Sequence, residues 1–158
     1  MSTFLDDAPM TRWLSADEQE AWRSFSVMQL QLTSLLDREL RARGLSYADY
    51  VVMAALGEHE GDRLRLRRLR AVLGWEKSRL SHQLSRMEGR GLVRRSADPD
   101  DARQLVIALT DDGRREVADA APDHVAVVRR YVVDVLPPEL LRALGRASQR
   151  VLDELPEA

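Results

Sequence analysis

Between Glu76 and Glu88, at 100° per residue, Ser78, Arg79, Ser81, His82, Ser85 and Arg86 fall on one side of a helix and Leu80, Leu84 and Met87 on the other. The polar side carries small hydroxyls, a histidine and two arginines, and no carboxylate lies among them. Such a face suits the major groove of DNA. Small side chains let the backbone approach, hydroxyls reach phosphates, and arginine pairs bidentately with guanine. The plainer alternative is a solvated face, but those ordinarily mix Glu with Lys.

A second pair lies further on. Asp101 and Arg103 are two residues apart, and on a strand such residues share a face, so Asp101 could hold the Arg103 guanidinium in place. A fixed arginine on a loop can enter the minor groove, where narrow A·T-rich DNA concentrates negative potential. The alternative is a local turn ion pair of little energetic value. A calcium loop built on Asp98, Asp100 and Asp101 fails for lack of the required glycine and distal glutamate.

The charge distribution agrees with a polyanion partner. Overall the 158 residues carry a net charge of −2. From Arg63 to Arg103, however, twelve basic residues face five acidic ones, a local +7 that leaves −9 on the rest. A basic block inside an acidic chain is the footprint of a localised polyanion site, the alternative being a solvated arginine-rich surface.

The elements that must position these residues follow from periodicity. Residues 1–15 read as a loose arm. Trp22, Phe25, Met28, Leu32, Leu35, Leu36 and Leu40 recur at helical spacing from about Ser15 to Arg43, and Gly44 stops that helix. Ser46 and Asp49 form an acidic capping box for a second helix ending at Gly57. The alternation at Arg63–Leu66 allows a very short strand. A short helix then runs to Gly74, and the helix already described follows it, so the two make a helix-turn-helix candidate. The runs Leu92–Arg95 and Leu105–Leu109 read as a β-hairpin around a polar loop containing Pro99. Thr110 caps a long helix reaching about Val135, with a kink expected at Pro122. Pro137–Pro138 primes a last apolar-striped helix carrying Leu140, Leu141, Leu144, Val151 and Leu152.

Several classes are excluded. No cysteine is present, so there is no disulfide framework, thiolate metal site or thiol redox sensor. No apolar run of about 18 residues exists to span a membrane. The opening MSTFLDDAPMTRW lacks the pattern of a secretory signal, and a cytoplasmic location is expected. No Ser-His-Asp order, glycine-rich phosphate loop or carboxylate pair argues for an enzyme. His59, His82 and His124 read as surface histidines, because only Glu58 and Glu60 beside His59 offer local metal partners. No metal or cofactor is expected.

This order of elements resembles the multiple-antibiotic-resistance regulator (MarR) family. The segment Trp75–Arg95, WEKSRLSHQLSRMEGRGLVRR, is similar to that family's recognition helix and following strand. Asp98-Pro-Asp-Asp101-Ala-Arg103, followed by Leu109-Thr110-Asp-Asp-Gly113, is similar to its wing signature; Asp100 stands where the family often has arginine. The resemblance implies a mainly α fold with a small β-hairpin wing: a winged helix-turn-helix plus a helical dimerisation region. It divides the chain into an arm and dimerisation helix (1–45), a DNA-binding domain (46–110) and C-terminal dimerisation helices (111–158).

The resemblance further implies an obligate homodimer that binds double-stranded DNA at a palindromic operator, as a repressor. Ser78, Arg79, Ser81, His82, Ser85 and Arg86 would face the major groove, and Arg103, oriented by Asp101, the minor groove. Arg65, Lys77, Arg94 and Arg95 would contact phosphates. Family members are often released by small aromatic or phenolic anions bound between the dimer helices and the winged domain. Here Trp13, Trp22, Met28, Tyr47, Tyr50 and Met53 could line that space, or could be core. The competing reading is a winged-helix module that binds an acidic protein. Operator sequence, regulated genes and effector identity are not legible.

Overall fold

The computed structural model describes residues 12–156; most of the expected N-terminal arm, residues 1–11, lies outside them. The chain forms two compact units, one ending at Ser34 and the other beginning at Leu35. Helix α1 (Ala16–Arg41) runs through that boundary. It opens on a reciprocal cap in which the Ser15 amide donates to Glu18 and the Glu18 amide to the Ser15 hydroxyl. In the first unit the Trp22 and Phe25 rings lie 5.9 Å apart.

The second unit holds the remaining elements. Helix α2 (Tyr47–Gly57) starts at the capping box expected from Ser46 and Asp49, with both reciprocal hydrogen bonds formed. A 3-10 turn at Glu60–Asp62 leads into strand β1 (Arg63–Arg65). Helix α3 (Leu66–Leu73) ends at Gly74, whose φ of 62° lies in the left-handed region where a side chain is disfavoured. Helix α4 (Lys77–Gly89) follows, so α3 and α4 form the helix-turn-helix. Strands β2 (Val93–Ala97) and β3 (Leu105–Leu109) make the wing, and β1 adds to its other edge: the sheet order is β1-β3-β2, all antiparallel. The central strand β3 turns Ile107 and Leu109 into the core.

That core gathers Leu40 and Leu45, Val52, Met53 and Leu56 of α2, Leu69 of α3, Leu80, Leu84 and Met87 of α4, and Ala120 of helix α5 (Asp111–Val128). The Thr110 hydroxyl accepts from the Gly113 amide at 3.0 Å, capping α5, and donates to the carbonyl of Gly91. Gly113 is required there because a Cβ would stand 2.0 Å from the Leu92 carbonyl oxygen.

Helix α5 runs through Pro122 without the clean stop a proline can impose, and a π-type turn at Arg129–Val133 follows it. The amide of Asp134 reaches back five residues to the Arg129 carbonyl there. Helix α6 (Pro138–Glu154) begins with proline in its first turn, where the missing amide costs nothing, and buries no residue.

Candidate nucleic-acid interface

Helix α4 is held by its apolar side, with Leu80, Leu84 and Met87 buried and all six expected reading residues exposed. The structure adds what each of those residues touches. The Arg79 guanidinium lies over the Trp75 indole, 4.2 Å from the ring centroid, which preorganises it by a cation–π contact. Arg86 donates to the Gln83 side-chain oxygen. Ser85 accepts from Arg95, and the same Arg95 nitrogen also bonds the Ser81 carbonyl.

At the wing tip, the expected pairing forms by a different route. Asp101 Oδ1 accepts from the Arg103 Nε at 3.0 Å and also from the Arg103 backbone amide at 3.2 Å. Asp101 and Arg103 sit in a turn, not on a strand, and the carboxylate closes that turn as it holds the guanidinium. Gln104 donates to the other carboxylate oxygen. These donors, led by the Arg103 side chain, keep the Asp101 carboxyl below its ordinary pKa. The Arg103 side chain is 91 % exposed and is therefore presented, not packed away.

Of the expected phosphate contacts, Lys77 and Arg94 stand exposed. Arg65 and Arg95 carry internal duties as well. Arg65 Nε donates at 2.5 Å to the buried Asp98, whose other oxygen accepts from the Asp100 amide, so Arg65 ties β1 to the root of the wing. The Asp98 carboxyl is held below its usual range, first by Arg65 and then by that amide. Arg95 binds β2 to α4. Sequence reasoning missed these duties because they link residues far apart in the chain. A cleft of about 440 Å³ bordered by Leu66, Arg67, Lys77, Leu80, Ser81 and Arg95 separates α3 and α4 from the wing strands.

The candidate pocket residues divide. Tyr50 and Met53 are buried in the core and Tyr47 packs against it. Trp13, Trp22 and Met28 belong to the first unit and are exposed there, Trp22 to 60 %. The histidines also divide. His82 is exposed on α4, and His59 Nδ1 donates to the Ala55 carbonyl. His124 is not the surface residue expected: its ring lies 4.3 Å from that of Tyr50, and its Nδ1 is buried without a hydrogen-bond partner. Burial pushes its pKa down.

A helix-turn-helix whose six expected reading residues are exposed and carry no acid, beside a wing that presents an anchored arginine, defines a winged-helix DNA-binding protein. The model of the MarR family matches residues 43–104. The chain is similar over 90 % of its length to AbsC, a MarR family transcriptional regulator from Streptomyces coelicolor, at 42 % identity and a TM-score of 0.85, covering 97 % of that chain. It is similar to Sco3205 from the same organism, a MarR family regulator solved in complex with DNA, at 38 % identity and a TM-score of 0.87, with 97 % and 95 % of the two chains covered. A third match is CouR from Rhodococcus jostii RHA1 bound to p-coumaroyl-CoA, at 26 % identity and a TM-score of 0.74, covering 94 % and 100 %. The chain belongs to the MarR family of transcriptional regulators, and its relatives are regulators, not enzymes. No helix among the described residues is long and apolar enough to cross a membrane.

Proposed function

We propose that the protein is a homodimeric repressor that reads a palindromic operator through both grooves. The observation that carries this is the wing: Arg103 is exposed yet held by Asp101, beside a recognition helix whose exposed face bears Ser78, Arg79, Ser81, His82, Ser85 and Arg86. A two-fold axis would place two such helices about one DNA turn apart, each in a major groove, with each Arg103 in a flanking minor groove. Lys77 and Arg94 meet phosphates, and Arg65 and Arg95 add charge while bracing the wing.

The dimer reading is supported by α6, where Leu140, Val151 and Leu152 are each more than half exposed. A single chain gains nothing by showing this stripe to water, and a second copy would bury it. That CouR is bound to p-coumaroyl-CoA, an anion with a phenolic end, supports an aromatic effector, and such an effector would release the operator. Such a ligand acts by preferring a spacing of the two recognition helices that the operator does not accept.

The test is selection of a duplex from a random library, followed by gel shifts at fixed salt. Arg103→Ala should weaken operator binding by about 5- to 100-fold, the scale of one good groove contact, and leave the oligomer intact. Unchanged affinity would overturn the wing assignment. A flat dependence of affinity on salt would instead favour an acidic protein partner, since phosphate contacts release counterions.

A further inference from the structure

Gln83 lies on the buried side of α4, 2 % exposed, and points at Asp49 of α2, 3 % exposed. Its Nε2 donates to Asp49 Oδ1 at 2.6 Å. Its oxygen accepts from Arg86, one turn along on the outward face. The other oxygen of Asp49 is already committed: it accepts from the Ser46 amide at 2.9 Å and from Arg90 at 2.8 Å. Arg90 in turn donates to the Gly44 carbonyl at 2.7 Å, in the connection between α1 and α2.

We infer that Asp49 and Gln83 are specificity-determining positioning residues: Asp49 sets the orientation of the Gln83 amide, and that amide aims Arg86 at the base it reads. The inference rests on the placement of Arg86 in the major groove. Its logic is one of donors and acceptors. A carboxylate only accepts, so the Gln83 NH2 must face Asp49 and its oxygen must face outward. An arginine only donates, so that outward oxygen is what draws the guanidinium to one position. Asp49 thus does more than cap α2. It carries the polarity of a buried hydrogen bond through α4 to a residue that it does not touch.

The relay has a built-in means of reversal. In Asp49→Asn, the site that accepts from Ser46 and Arg90 must keep the oxygen, so the new NH2 group faces Gln83. Gln83 then turns its oxygen inward and its own NH2 toward Arg86, donor against donor. The shape of the core is unchanged, and Arg86 loses its anchor.

The experiment measures affinity of the full-length protein for a selected operator, for variants of it at each base pair and for a non-operator duplex, alongside thermal melting. Arg86→Ala locates the base pair that Arg86 reads. Asp49→Asn should lower discrimination at that same base pair by about tenfold, leaving non-operator affinity and the salt slope unchanged. Added to Arg86→Ala it should do nothing more, because the relay then has no end. Gln83→Met, which removes the amide without reversing it, should reproduce the loss and serves if Asp49→Asn fails to fold. A drop in melting temperature with discrimination intact, for either variant that folds, would overturn the inference. Unaltered discrimination in Arg86→Ala overturns it from beneath, by showing that Arg86 reads no base.

Discussion

Helices α4 and α6 are both amphipathic, yet they meet opposite fates within the chain. Helix α4 buries Leu80, Gln83, Leu84 and Met87 and keeps its polar face for the outside. Helix α6, four residues longer, buries nothing. An apolar stripe costs free energy in proportion to the area left in water, so α4 is a finished element and α6 an unfinished one. One chain completes α4; a second copy, as in the proposed dimer, would complete α6.

Four substitutions break or sharpen that contrast, taken from the largest expected effect. Leu84→Ala, on the finished side, should cost about 2–5 kcal/mol of stability by denaturant unfolding, the range for a leucine lost from a tight core. A cost under about 1 kcal/mol would mean that α4 is not packed as described. Gly113→Ala should cost about 3 kcal/mol in the same assay, because its Cβ meets a backbone carbonyl that cannot swing aside.

Leu152→Glu, on the unfinished side, should leave the fold of the winged unit alone while sedimentation shows dissociation of the proposed dimer. Operator affinity then falls by about 100-fold or more as two linked half-site contacts become one. A variant that stays dimeric would remove α6 from the interface. The smallest effect concerns acid. Burial holds the His124 pKa below its ordinary value of ~6.5. The unfolded chain therefore takes up that proton first as pH falls. Stability contributed by neutral His124 is full above ~6.5 and declines below it, toward the depressed folded pKa. Melting temperatures between pH 7.5 and 5 should fall less steeply for His124→Gln than for the parent; parallel curves would refute the assignment.

Much of the fold was legible because its signals are local. The Ser46–Asp49 box, Gly74 and the Thr110 cap act over three or four residues, and each does in the structure what its spacing implied. The outward face of α4 was legible for the same reason. What was not legible depends on partners distant in sequence. Arg65 reads as one more free cation until Asp98, 33 residues away, takes its Nε. His124 reads as surface until α2 brings Tyr50 against it. A trace of the relay was present, since Gln83 is a polar residue on an apolar stripe, which signals a buried hydrogen bond without naming its partner.

Sequence alone determined the class of protein, the amphipathic helix proposed to read DNA and the pairing of Asp101 with Arg103, because side-chain periodicity and turn chemistry are properties of short segments. Tertiary structure decided which cations are presented and which are occupied, how Asp101 holds Arg103 through a turn in place of a strand, and that Asp49 reaches Arg86 by way of Gln83. Those are matters of donor and acceptor meeting in space, and no spacing along the chain encodes them.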